Sequence, residues 1–214
     1  FWDVQAGVRQ DFRPDGEELA HVDLRRTDTV RSRVRVEPLT NHFVGRVQQD
    51  LRGSSTAGAQ LTAVNGQDLH PAYVGAVDAN LKWRDNDYSL YTRVAASRAG
   101  QDEDRRSGWE GVAYVSKFSG AFGGQAYLDA RSPGFDANDL GFMDRNDRVQ
   151  AGAHLFHQKL DPYGFARRSG FNLNAWQQWN AGGDRLSRGV DANMWHDLHS
   201  YWGFWMSLSH RVSS

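Results

Sequence analysis

Apolar and polar residues alternate along most of the chain with a period of two. In "AYVGAVDANLKW", residues 72–83, Tyr73, Gly75, Val77, Ala79, Leu81 and Trp83 form one apolar or small row. Val74, Ala76, Asp78, Asn80 and Lys82 form the other, which turns polar toward one end. Successive strand residues point to opposite faces, so this pattern predicts a long strand with one apolar side. The same reading holds for 1–12, where Trp2, Val4, Ala6 and Val8 oppose Asp3, Gln5, Gly7 and Arg9, and for Val30–Val36 in part. Phe43, Gly45, Val47 and Leu51 oppose Arg46, Gln48 and Asp50; Ala57, Ala59, Leu61 and Ala63 oppose Gly58, Gln60 and Thr62. Further strands are expected from Tyr88 to Ala96 and over 109–118, 122–131, 147–159, 168–180, 185–198 and 201–212. "RDND" (84–87) and "SGA" (119–121) are short turns, whereas 99–108 and 132–146 are expected to be longer polar loops.

The count is about ten to twelve strands, many near the ~9–11 residues with which a tilted strand crosses a bilayer. Neither a helix cap nor an i, i+3, i+4 apolar pattern of helical length is present. Two architectures satisfy such alternation: a soluble sandwich whose apolar rows face a core, and a membrane barrel whose apolar rows face lipid. Strand length favours the barrel. So do the short turns, and the Trp and Tyr residues near strand ends, where an amphipathic ring suits a lipid–water boundary. The expectation is an all-β, antiparallel, up-and-down transmembrane β-barrel, complete or partial, with 1–214 as a single domain or a fragment of a larger barrel. The soluble lectin-like β-sandwich is the alternative.

Composition narrows this little further. Mean hydropathy is −0.68, and no segment has the ~20 apolar residues of a membrane helix; an alternating barrel is polar on average. A net charge of −1 gives no field for nucleic acid, so no nucleic-acid partner is expected. Cysteine is absent, which removes disulfides and thiolate chemistry. Of 25 basic residues only Lys82, Lys117 and Lys159 are lysines; codon bias accounts for such an excess of arginine, and planar guanidinium forks also suit an enclosed lumen paired with carboxylates. The chain opens at Phe1, inside a strand pattern, and reads as a mature chain or, in preference, as a piece of a longer protein.

"VEPLTNHFVGRVQQDL" (36–51), "GSSTAGAQLTAVN" (53–65), "VGAVDANLKWRDNDYSLYTRVAAS" (74–97) and above all "SPGFDANDLGFMDRND" (132–147) carry a family resemblance. Together they resemble the C-terminal barrel region of bacterial outer-membrane proteins of unknown function. Members of that family typically carry an N-terminal module similar to family-nine carbohydrate-binding domains. The resemblance implies an outer-membrane location, lipid as a partner, and remaining strands or an N-terminal module elsewhere in the parent protein.

Candidate site residues follow from the rows. Arg46, Asp78, Lys82, Arg93, Asp129, Arg131, Arg148, Asp191 and Asp197 fall in polar rows and would line a lumen as an ion-pair network or a selectivity wall. Tyr91, Tyr127, Trp176, Trp195 and Trp205 share those rows; packing among themselves is the first reading of them, and stacking on sugar rings the second. Trp83, Tyr88, Trp109, Trp179, Tyr201 and Trp202 are the candidates for interfacial girdles. In the 132–147 run, Asp136, Asn138 and Asp139 are weak Ca²⁺ ligands by chemistry, set against a turn in which Asx side chains cap the backbone and Gly134 and Gly141 take positive φ. His154 and His157, like His196 and His199, are three apart and on a strand diverge, so no metal centre is expected. No nucleophile elbow, H-E-x-x-H or phosphate loop occurs; neither catalysis nor a cofactor is expected. The functional expectation is an outer-membrane channel or a docking or uptake component for a solute such as a glycan.

Overall fold

The alternating segments form the strands of one sheet. A computed structural model of the chain describes residues 39–66, 70–138 and 143–213. Ten strands follow one another: β1 (Thr40–Asp50), β2 (Thr56–Gly66), β3 (Ala72–Trp83), β4 (Tyr88–Ala99), β5 (Arg106–Lys117), β6 (Phe122–Arg131), β7 (Arg148–Lys159), β8 (Ala166–Trp179), β9 (Arg185–Leu198) and β10 (Gly203–Ser213). Each pairs antiparallel with the next, in the order β1 to β10. The fold is therefore all-β, an up-and-down meander in one open sheet. The second sheet that a sandwich requires does not occur among the described residues, and no described strand closes β1 onto β10. The strands read at 1–12 and 30–36 lie outside the described residues.

The chemistry of each turn explains its brevity. Arg84, Asp85 and Asn86 all adopt positive φ, and Asp87 N–H closes the turn on the Arg84 carbonyl at 3.0 Å; a mirror-type turn of this kind matches strand twist. Gly120 takes φ +77° in the turn after β5, and Lys117 Nζ caps that turn by donating to the carbonyls of Ser119 at 2.6 Å and Phe122 at 2.8 Å.

The long polar loop expected at 99–108 is shorter. The ladder continues through Ser97↔Gly108, Arg98↔Ser107 and Ala99↔Arg106, and a 3-10 turn at Asp102–Asp104 reverses the chain. Backbone pairing needs no apolar side chain, so the charged run hides strand ends. Only 132–147 is long.

Paired residues share a face, so the registers assign every strand residue to one of two faces. One face carries Phe43, Val47, Leu61, Val77, Leu81, Val94, Val115, Leu128, Leu155, Leu173, Val190 and Leu208 among small residues. No Asp or Glu lies on this face within a described strand. The opposite face carries every Asp and Glu of the described strands and most of the amides; the basic residues that share the apolar face include Arg98 and Arg188.

Accessibility alternates with the same period but in the inverse of the soluble sense. Val77 is 59% exposed and Leu128 48%, while the polar-face partners Asp78 and Asp129 lie at intermediate burial. No large side chain is fully buried among the described residues. Val77, Leu81 and Leu128 do not meet across a dry interior.

Candidate functional site

All nine charged candidates lie on the polar face. Arg46 reaches across β2 to Asp78 with a two-pronged bridge at 2.8 and 2.9 Å. Gly58 makes the crossing possible, because a Cβ there would sit 2.9 Å from Arg46 Nη2 and 3.1 Å from Asp78 Oδ2. Glu110, 4% exposed, accepts from Arg93 and, at 2.7 Å, from Arg131. Arg131 also holds Asp144 at 2.8 Å, and Arg148 bridges Asp144 at 2.9 Å and Asp129 at 3.1 Å. Three guanidinium groups thus interleave with three carboxylates, leaving no net charge. Such charges are tolerated away from bulk water when each is paired and hydrogen-bonded. Asp191 accepts from Asn174 at 2.8 Å and Asp197 from Arg168 at 2.5 Å. Lys82, the last residue but one of β3, lies on the same face, and its backbone N–H donates to Ser55 Oγ at 2.9 Å.

Glu110, the centre of this network, is absent from the candidates read in the sequence. The signal was available: in "WEGVAY" it shares parity with Val112 and Tyr114, on the row opposite Trp109 and Val115.

The long loop folds onto the polar face rather than away from it. A Cβ on Gly108 would lie 2.0 Å from Phe135 N, and one on Gly134 would lie 2.3 Å from the Ser107 carbonyl. Phe135 is 3% exposed, and Asp136 N–H donates to Ser97 Oγ at 2.9 Å. Gly134 is therefore required for close approach and not, as expected, for positive φ, which it does not adopt; Gly141 lies outside the described residues. Asp144 ties the other arm of the loop to Arg131 and Arg148. Partial burial raises the Asp144 carboxyl, but the Arg131 hydrogen bond and the Arg148 charge outweigh it and hold the pKa below its ordinary value.

The expected Asx capping is present: Asp136 Oδ1 accepts from Asn138 N–H and Nδ2, and Asn138 Oδ1 accepts from Met143 N–H. These bonds occupy oxygens that a Ca²⁺ ion would need. Asp139 lies outside the described residues, and no cluster of three or more metal-ligating side chains occurs among the described residues. His154 lies on the polar face and His157 on the apolar one.

Aromatic rings mark both ends of the apolar face. Trp83 and Tyr88 stack at 5.7 Å beside the 84–87 turn. Tyr201 and Trp202, in the turn before β10, belong to the same end of the sheet, with Phe118, Phe122, Phe165 and Phe204. Trp109 and Trp179 lie toward the other end, with Phe43 and Tyr73. Tyr73 and Trp83 are ten residues apart on β3, about 33 Å along the strand and ~25 Å in height at a 40° tilt.

Across the polar face, one register row reads Asn80, Tyr91, Tyr114, Tyr127, Gly152, Trp176, Gly189 and Arg211 from β3 to β10. Tyr114 and Tyr127 stack at 5.9 Å, and Tyr91 and Tyr114 stand 6.1 Å apart. Glycines lie beneath the large rings: a Cβ on Gly152 would be 2.6 Å from the Tyr127 ring, one on Gly189 2.2 Å from that of Trp176, and one on Gly170 2.4 Å from that of Trp195. Covering a strand glycine with a neighbouring ring restores packing that the glycine lacks.

No curated protein matches the sequence. No solved structure matches it either. A family model described as "Domain of unknown function (DUF5916)" matches residues 18–214, nearly the whole chain, and the chain belongs to that family of unknown function.

Proposed function

We propose that this chain forms the wall of a β-barrel in a bacterial outer membrane, complete or as part of a larger barrel, which passes or docks a solute such as a glycan. The observation that carries this reading is the exposed, acid-free apolar face of ten long strands, bounded at both ends by aromatic rings. A face of that extent far exceeds the few hundred Å² of apolar patch that a soluble monomer exposes, and its height matches the ~25 Å band of outer-membrane barrels. Lipid tails are the solvent that suits it. The polar face then looks inward, where the ion pairs and the folded-in 132–147 loop shape a water-filled or partly obstructed lumen. A family-nine-like module elsewhere in the parent protein would gather the glycan that such a barrel receives.

The full-length protein, extracted from membranes with detergent, is expected to migrate faster on a gel when unheated than when boiled. A protein soluble without detergent and indifferent to heating would reject the barrel. Reconstitution in planar bilayers then separates passage from docking: stepwise currents mark an open pore, and their absence leaves no room for passive transport.

A further inference from the structure

The polar face holds more than a self-paired charge network. We infer that Tyr91, Tyr114, Tyr127 and Trp176 form a stacking track for a neutral oligosaccharide; this rests on the barrel reading for its place in the lumen, but not for its chemistry.

The first argument is the small neighbours of the rings. Tyr127 and Trp176 lean over Gly152 and Gly189, where a Cβ would collide with them, so no side chain of those two residues stands between the rings and the space in front of the sheet. A pyranose presents an apolar face of axial C–H groups, which packs on a flat aromatic face. All four rings are at intermediate burial, neither sealed in a core nor fully free. From β4 to β8 the row spans four strand spacings, ~19 Å, room for several sugar units in succession. Rows run perpendicular to strands, so tilted strands carry the track obliquely up the wall.

The second argument is what flanks the rings. On the side of the charge network, Gln150 Nε2 donates to Tyr127 Oη at 2.8 Å, and Gln178 Nε2 donates to Gln150 at 2.7 Å. On the other side the adjacent row brings Ser116, Gln125, His154, Asn174 and Asp191. Amides and hydroxyls of this kind both donate and accept, as sugar hydroxyls do. Apolar surfaces with a few convergent polar groups are the usual composition of a small-molecule site.

The third argument selects a neutral ligand. Arg93, Arg131 and Arg148 are matched by Glu110, Asp129 and Asp144, and Arg46 by Asp78. The two charges beside the track outside these pairs, Asp191 and Arg211, are opposite in sign, so the wall offers no net counter-charge to an anionic or a cationic sugar. Arg211 closes the row, its guanidinium 5.3 Å from the Trp176 ring centre; an exposed side chain of this length can swing aside and hydrogen-bond a terminal hydroxyl.

The test is a fluorescence titration of the full-length protein in detergent with maltohexaose, cellohexaose and, as an anionic comparison, hexagalacturonate. The heat-dependent gel shift is followed on every sample. A saturable change with at least one neutral hexasaccharide is expected, and little with the anionic one. Isothermal titration is expected to find binding about tenfold weaker in Trp176→Ala and in Tyr127→Ala, the scale of one lost stacking contact. Trp176→Phe, which keeps a ring, restores part of it, and Tyr73→Ala, on the apolar face, changes nothing.

A normal gel shift with no response to either neutral sugar, or binding that survives both alanine variants, overturns the track and leaves the barrel standing. Trp176-dependent binding by a protein with no gel shift keeps the track and rejects the barrel.

Discussion

Placing an arginine at Val77 is the sharpest probe of which solvent meets the apolar face. Val77 lies at the middle of β3 between Ala59 and Val94, with no carboxylate on that face to receive a guanidinium. It is 59% exposed, so the larger side chain meets no steric barrier, and only the surrounding medium sets the cost. At the midplane of a bilayer an outward arginine costs about 2–4 kcal/mol, falling to ~0–1 kcal/mol at the interface. Trp83 is six residues along the same strand, about 15 Å nearer the boundary after tilt, so Trp83→Arg serves as the shallow control. Urea unfolding in phospholipid vesicles reads both. With an m-value of about 2 kcal/mol/M, Val77→Arg is expected to lower the midpoint by about 1–2 M and Trp83→Arg by less than about 0.5 M. In water, neither substitution would exceed the ~0.5 kcal/mol usual for surface sites. Two variants that unfold together with the parent would refute a lipid-facing assignment.

Two further outcomes follow from the polar face. Gly58→Val is expected to break the Arg46–Asp78 bridge and cost about 1–3 kcal/mol through overpacking, whereas Gly75→Ala, on the apolar face with open space around it, is expected to be neutral; the same urea midpoints measure both. The depressed Asp144 carboxyl stabilises the loop at neutral pH, and that contribution is lost as pH falls from the ordinary value near 4 through the lower folded one. Because the chain has no cysteine, a nitroxide on Ala137→Cys reports it cleanly: label mobility is expected to rise on acidification, and to be high and pH-independent with Asp144→Asn added.

Strand existence and facing were legible because a period of two is a direct imprint of the pleat. Every charged candidate from Arg46 to Asp197 lands on the face its parity assigns. Strand ends were less legible where a ladder runs on through polar residues, as at Arg106–Gly108. Bulges were not legible at all: the irregularities at 166–168 and 178–179 follow from pairing geometry, and no local residue announces them. The inward fold of 132–147 depends on Gly108 and Gly134 meeting Phe135 and Ser107 across the chain. Its Asx turns were visible in "FDAND", but its direction was not. The row from Tyr91 to Trp176 joins residues from five strands and becomes visible only once the registers are fixed.

The outer margins of β1 and β10 have a consequence for how such a wall is made. Each is an eleven-residue strand with a described neighbour on one flank only, which leaves about ten backbone donors and acceptors per margin to be satisfied. In hydrocarbon each one left unmet costs several kcal/mol, so the sum over both seams dwarfs the ~5–15 kcal/mol that holds a typical domain together. In the proposed barrel, joining these seams, to one another or through intervening strands, would thus be the committing event: before it the ribbon would be held at the water boundary, and after it the ring of backbone bonds would lock the protein into the bilayer.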